Sequence, residues 1–112
     1  MDALTVATWN IHGGIGLDRR RAPERIAQVL SRLGADVIAP QQFAAPHAHF
    51  EAGRGELEQR LGLRAIVQPT LATARARFGN AVLTRLPVRK ATCHDLGVGT
   101  REPRNAIELE CD

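Results

Sequence analysis

A chain of 112 residues, 44% of them hydrophobic, is the size of one ordinary domain, and no apolar run reaches the roughly 18 residues that a membrane-spanning helix needs. The formal charge of +3 comes from arginine, with Lys90 the single lysine, which favours an anionic partner only mildly; three phenylalanines and one tryptophan leave no stacking platform for single-stranded nucleic acid. Cys93 and Cys111 stand in no CxxC pair, which excludes a disulfide framework and a zinc site and predicts reduced thiols packed in strands.

The opening MDALTV lacks the basic start and apolar core of a secretory signal, so the expected compartment is the cytoplasm. Leu4 to Ile11 is a β-favouring run with Val6, Trp9 and Ile11, predicted as a strand covered on both faces and central in its sheet. After the loop HGGIGLDRRRA, Pro23 suits a first helical position. Ile26, Val29, Leu30 and Leu33 then recur at helical spacing until Gly34 ends the pattern. Asp36 to Phe43 reads as a second strand, and the strand, helix, strand order implies a layered α/β architecture with a mixed sheet.

AAPHAHFEAGRGE is expected to be a loop, followed by a short helix from Glu56 to Leu61 that Gly62 stops. Arg64 to Pro69 and Gly79 to Thr84 are strand candidates separated by the polar stretch TLATARAR, which suits a hairpin or loop. Val88 to Leu96 follows a turn at Leu86 and Pro87, and Asn105 to Cys111 alternates in polarity as a half-exposed strand does. With no repeat, linker or low-complexity tract, residues 1–112 read as a single domain.

Few local motifs carry chemistry. Asn10 places an amide oxygen at a strand end beside Gly13, Gly14 and Gly16, which more often marks a turn-former than a ligand for a hard cation or a phosphate. GGIG is neither GxGxxG nor a P-loop, so no nucleotide cradle is expected. His47 and His49 lie in a loop without acidic or thiol partners nearby, which favours a solvated loop over a metal site. Cys93 and His94 are neighbours on a strand and point to opposite faces.

The segments LTVATWNIHGG, PERIAQVLSRLGADVIAPQQF, FGNAVLTRLPV and REPRNAIELE, in this order and spacing, resemble the N-terminal half of the endonuclease/exonuclease/phosphatase superfamily. The resemblance implies an α/β (α+β) fold, a partial four-layer αββα sandwich. It also implies a phosphoesterase dependent on a divalent metal, usually Mg2+, acting on a phosphate ester of a nucleic acid, a phospholipid headgroup or a small phosphodiester. By that resemblance Asn10 lines the metal and phosphate site, and Arg101 in REP lies near the substrate phosphate. Asn80 and Arg85, in GNAVLTR, are architectural.

Gln42 stands where the superfamily's metal-binding Glu is usual, which predicts weaker metal binding, and Pro40 is a poor guest in a central strand. The general base of the family mechanism, a His oriented by an Asp, comes from later segments that His12, His47, His49 and His94 do not match. No residue of this chain is therefore assigned a catalytic role, and the chain by itself is expected to be inactive. Uncovered strand edges and sheet faces would then favour self-association. Two alternatives stay open: a nonenzymatic remnant that binds phosphate-bearing ligands or a protein partner, and an unrelated small α/β interaction domain. The family reading requires Asn10, Gln42 and Arg101 to share one pocket.

Overall fold

The computed structural model describes residues 3–11, 18, 23–46, 50–72, 76–102 and 104–112. Their elements run β1 (Val6–Asn10), α1 (Pro23–Leu33), β2 (Val37–Gln41), β3 (Phe43–Pro46), α2 (Phe50–Leu61), β4 (Arg64–Ala72), β5 (Ala76–Thr84), β6 (Val88–Asp95) and β7 (Asn105–Cys111).

Helix α1 has the predicted bounds, because Gly34 takes a left-handed φ of 57° and closes the last turn with a bond from its N–H to the Ser31 carbonyl at 3.3 Å. Its buried face differs from the one expected. Ala27 and Leu30 are buried and Ile26 packs against them, whereas Val29 and Leu33 remain 41% and 47% exposed. At about 100° per residue, Ile26, Leu30 and Ala27 form one arc, and Val29 with Leu33 falls on its flank. Helix α2 begins at Phe50, six residues before the expected Glu56, and Leu57 is its buried anchor. The Glu58 carboxylate on α2 accepts the Ala65 N–H at 3.0 Å and so fixes the start of β4.

Strand β1 pairs with β2 in parallel, from Val6 opposite Val37 to Asn10 opposite Gln41, and among the described residues forms no other pairing. It ends the sheet rather than occupying its centre, and Val6, 60% exposed, is open on the face away from the helices. Only Ala7, Trp9 and Ile11 turn toward the core. An apolar run cannot distinguish a strand covered on both faces from one whose second face is still open. That distinction lies in the neighbours.

The stretch expected as a single strand, Asp36 to Phe43, is bent. β2 pairs antiparallel with the C-terminal end of β5, with Ile38 opposite Leu83, while β3 pairs with its N-terminal end, with Phe43 opposite Gly79. Since β4 runs along the opposite edge of β5, β2 and β3 share one edge as two halves of a kinked strand. Between the two pairings the β2–β3 side spends one more residue than β5, the signature of a β-bulge, and Gln42 carries it with a left-handed φ of 58°. A non-glycine residue there costs roughly 1–2 kcal/mol.

The bulge also accounts for Pro40. The Ile11 N–H bonds the Gln41 carbonyl at 3.0 Å, so odd-numbered residues of β2 turn their backbone toward β1 and Pro40 faces β5. There the ladder is already interrupted, and the missing N–H breaks no pairing. Pro40 is fully buried.

Helices α1 and α2 cover one face of the five-stranded sheet, with Leu30, Ile38, Ala65, Ala81 and Leu83 at the centre of the core. Ile38 and Leu83 are 1% and 0% exposed, and burying each such side chain contributes roughly 1.5–3 kcal/mol. A second, two-stranded sheet pairs β6 with β7 from Asp95 opposite Asn105 to Val88 opposite Cys111. Both cysteines lie on it as free thiols, Cys93 exposed rather than packed and Cys111 half-buried. No helix among the described residues is long and apolar enough to cross a membrane.

The sheet is tied at its far end by Asp36. Its carboxylate accepts the Thr5 N–H at 2.8 Å and the Arg85 Nε–H, while its own N–H bonds the Thr5 carbonyl at 2.9 Å and its carbonyl accepts the Arg85 N–H at 3.1 Å. The Thr5 bond, then Arg85, holds this carboxyl below the usual aspartate range. Arg85 thus serves the junction of β1, β2 and β5.

Candidate functional site

The C-terminal ends of β1 and β2 lie side by side, with Asn10 and Gln41 in register. One residue further the bulge turns Gln42 out of the strand direction, into the same opening. Strands β4 and β5 supply the facing wall through Thr70, Phe78, Gly79 and Asn80, and the approach to β7 closes a third side with Glu102 and Arg104. Together they enclose a cleft of about 490 Å³.

Each wall has a local cause. A Cβ on Gly79 would lie 2.4 Å from the Gln68 carbonyl oxygen, so only glycine lets β5 approach β4 this closely. The Thr70 hydroxyl donates to the Phe78 carbonyl at 3.4 Å across the same pair. On the β2 side the Gln41 Nε2 donates to the Thr8 hydroxyl at 2.7 Å and to the Ala39 carbonyl, which anchors the residue before the bulge.

Asn80 fixes the third wall. Its Nδ2 donates to the Asn105 carbonyl at 3.2 Å and to the Asn105 Oδ1 at 3.0 Å, and the Asn105 Nδ2 donates onward to the Pro69 carbonyl at 3.1 Å. Strands β4, β5 and β7 are joined at one point, immediately after Arg104. Asn80 is architectural in this sense: it sets where the residues leading into β7 meet the cleft.

Arg104 Nη2 meets Glu102 Oε2 at 2.8 Å, with side chains 61% and 53% exposed. The hydrogen bond, with the charge attraction, lowers the Glu102 carboxyl from its ordinary value and raises the Arg104 guanidinium.

Of the three side chains that the family reading requires in one pocket, Asn10 and Gln42 line this cleft and Arg101 is not among its described lining residues, so that requirement is met by two of the three. Arg101 closes the turn after β6, its N–H bonding the Val98 carbonyl at 3.1 Å, and is exposed. Among the described residues the guanidinium at the cleft belongs to Arg104. Sequence reasoning passed over Arg104, and over Glu102, because what brings them in is the pairing of Asn80 with Asn105, 25 residues away. The asparagines at the start of one strand and within another were the visible signal.

His94 sits on β6 with its Nε2 2.8 Å from Glu108 Oε1, a cross-strand contact away from the cleft lining. His12, His47, His49, Gly13, Gly14, Gly16, Arg19 to Arg21 and Arg75 lie outside the described residues.

No protein-family model and no curated protein matches the chain. Solved structures do. The crystal structure of an endonuclease/exonuclease/phosphatase from Beutenbergia cavernae DSM 12333 aligns with a TM-score of 0.80 at 22% identity, over 97% of this chain and 34% of that one. An endonuclease/exonuclease/phosphatase family protein from Leptotrichia buccalis C-1013-b aligns with a TM-score of 0.74 at 14% identity, over 98% of this chain and 49% of that one. The fold is that of endonuclease/exonuclease/phosphatase proteins. The chain spans 34% and 49% of the lengths of these two structures, so it corresponds to part of their architecture.

In this endonuclease/exonuclease/phosphatase fold the described cleft residues do not make the donor set a magnesium ion prefers. Hard divalent cations take several oxygen ligands, carboxylates foremost. Among the described residues no three of His, Cys, Asp and Glu gather in one place. Among the described residues Glu102 is the one carboxylate lining the cleft, and it is engaged by Arg104. What the arrangement offers is amide groups and a guanidinium, a set suited to phosphoryl oxygens.

Proposed function

We propose that this chain forms the phosphate-binding side of a phosphoesterase cleft, and that by itself it binds phosphate esters without hydrolysing them. The observation that carries this reading is the convergence of Asn10 and Gln42 with Arg104, from three separate parts of the chain, on one cleft. An arginine fork matches the oxygens of a phosphoryl group, and amide N–H groups supply further donors. The recognised element is the phosphoryl group, which a nucleic acid, a phospholipid headgroup and a small phosphodiester all present.

Hydrolysis needs charge neutralised at phosphorus and a group to take the proton from water. With Gln42 in place of an acid, one unit of negative charge is missing from the cleft. At about 4 Å and an effective dielectric near 20, that charge is worth at most roughly 4 kcal/mol to a cation, close to three decades in affinity. The proposed binding therefore does not route through magnesium. The test pairs calorimetric titration with inorganic phosphate and an assay of bis(p-nitrophenyl) phosphate with and without magnesium. Phosphate binding without turnover is expected; magnesium-dependent release of p-nitrophenolate would refute the non-hydrolytic part, and absence of phosphate binding would refute the whole.

The sheet face opposite the helices favours a second reading, association with a protein partner or another copy. Val6 is 60% exposed there, and register places Val37, Ala39, Val82 and Ile66 on the same face, each half-buried. Light scattering of the purified chain decides it, a monodisperse monomer ruling out self-association.

A further inference from the structure

The Glu102 and Arg104 pair has a property that neither residue has alone. Both side chains line the cleft, they are held together at 2.8 Å, and each is more than half exposed. Exposed pairs of this kind shift an equilibrium by no more than roughly fivefold, so the contact is readily exchanged. A carboxylate and a phosphate present similarly spaced oxygens to a guanidinium fork, and the phosphate dianion carries the greater charge.

We propose that the Glu102 carboxylate is an internal occupant of the phosphate position, holding Arg104 while the cleft is empty and giving it up to an incoming phosphate dianion. The proposal rests on the phosphate-binding reading above and adds its regulation: Glu102 sets the affinity, and Arg104 rather than Arg101 is the anchoring guanidinium. The exchange is local. Asn80 pins the backbone and side chain of Asn105, the residue after Arg104, so the donor stays beside the cleft while Glu102 turns to solvent by rotation about its own side-chain bonds. Ligands bearing a phosphate monoester, with two charges, displace Glu102 more effectively than diesters, with one.

Calorimetric titration of the full chain with inorganic phosphate at low ionic strength tests this, using the wild type, Glu102→Gln, Arg104→Gln, the double variant and Arg101→Gln. Removing the competitor is expected to tighten phosphate binding roughly two- to fivefold. Removing the anchor weakens it by about tenfold or more. In the Arg104→Gln background Glu102→Gln should have no further effect, whereas a general change in surface charge would act equally in both backgrounds. Arg101→Gln leaves binding unchanged. Repeating the titration with p-nitrophenyl phosphate and bis(p-nitrophenyl) phosphate separates monoester from diester, the monoester being expected to gain more from Glu102→Gln. Weaker or unchanged binding in Glu102→Gln, or tightening that survives the loss of Arg104, overturns this proposal and leaves the phosphate-binding reading standing. If no variant binds phosphate, both fall.

Discussion

Replacing Asn80 by alanine removes the two bonds that join β5 to the residue after Arg104, 3.0 and 3.2 Å long, and loosens the Asn105 side chain that reaches on to Pro69. A neutral hydrogen bond contributes a net 0.5–1.5 kcal/mol, so the loss is about 2 kcal/mol. For 112 residues the entropy of unfolding is roughly 0.24 kcal/mol/K, which converts that loss into a fall of ~8 °C in Tm. Circular dichroism melts measure it. A double-mutant cycle with Asn105→Ala sharpens the test. Because both substitutions remove the bond from the Asn80 Nδ2 to the Asn105 Oδ1, their effects should overlap by about 0.5–1.5 kcal/mol instead of adding. Phosphate binding should weaken in parallel, since the wall that carries Arg104 is no longer fixed. A Tm within about 2 °C of the wild type, or strictly additive losses, would show that Asn80 does not hold β7 to the sheet.

Other outcomes follow from the same geometry. Gly79→Ala forces a methyl group to within 2.4 Å of the Gln68 carbonyl, and the strain should lower stability by about 1–3 kcal/mol in urea titrations. Gln42→Glu places a carboxylate at the bulge, and magnesium titration should show affinity rising by up to roughly three decades; no gain would mean that a charge at position 42 does not act on a cation in the cleft. The depressed Asp36 carboxyl stabilises the fold above the pKa it has in the unfolded chain, and that contribution is lost as pH falls through the lower folded value. Below about pH 4 the stability of the wild type should therefore fall toward that of Asp36→Asn, while near neutrality the variant melts earlier. Parallel curves at every pH would contradict the Thr5, Asp36 and Arg85 junction.

Features written in neighbouring residues were legible without coordinates. Pro23 at the first helical position and Gly34 beyond the last bound α1 because backbone preference alone decides both ends. Alternating polarity located Asn105 to Cys111 for the same reason: side chains on a strand change face at every residue. The order of segments was enough to indicate the fold, and Asn10 and Gln42 were legible as residues of one cleft.

Tertiary structure decided the rest. That β1 ends its sheet depends on which strands pair, since Val6 reads the same with or without a cover. The kink at Gln42 and the accommodation of Pro40 exist because β2 and β3 take different stretches of β5 as partners. Arg104 lines the cleft because Asn80 captures Asn105 across the sheet, whereas Arg101 lies in the turn after β6 and is not among the described lining residues. Helix ends and strand alternation are properties of adjacent residues, whereas the position of a guanidinium in a cleft is set by a hydrogen bond between residues 25 apart.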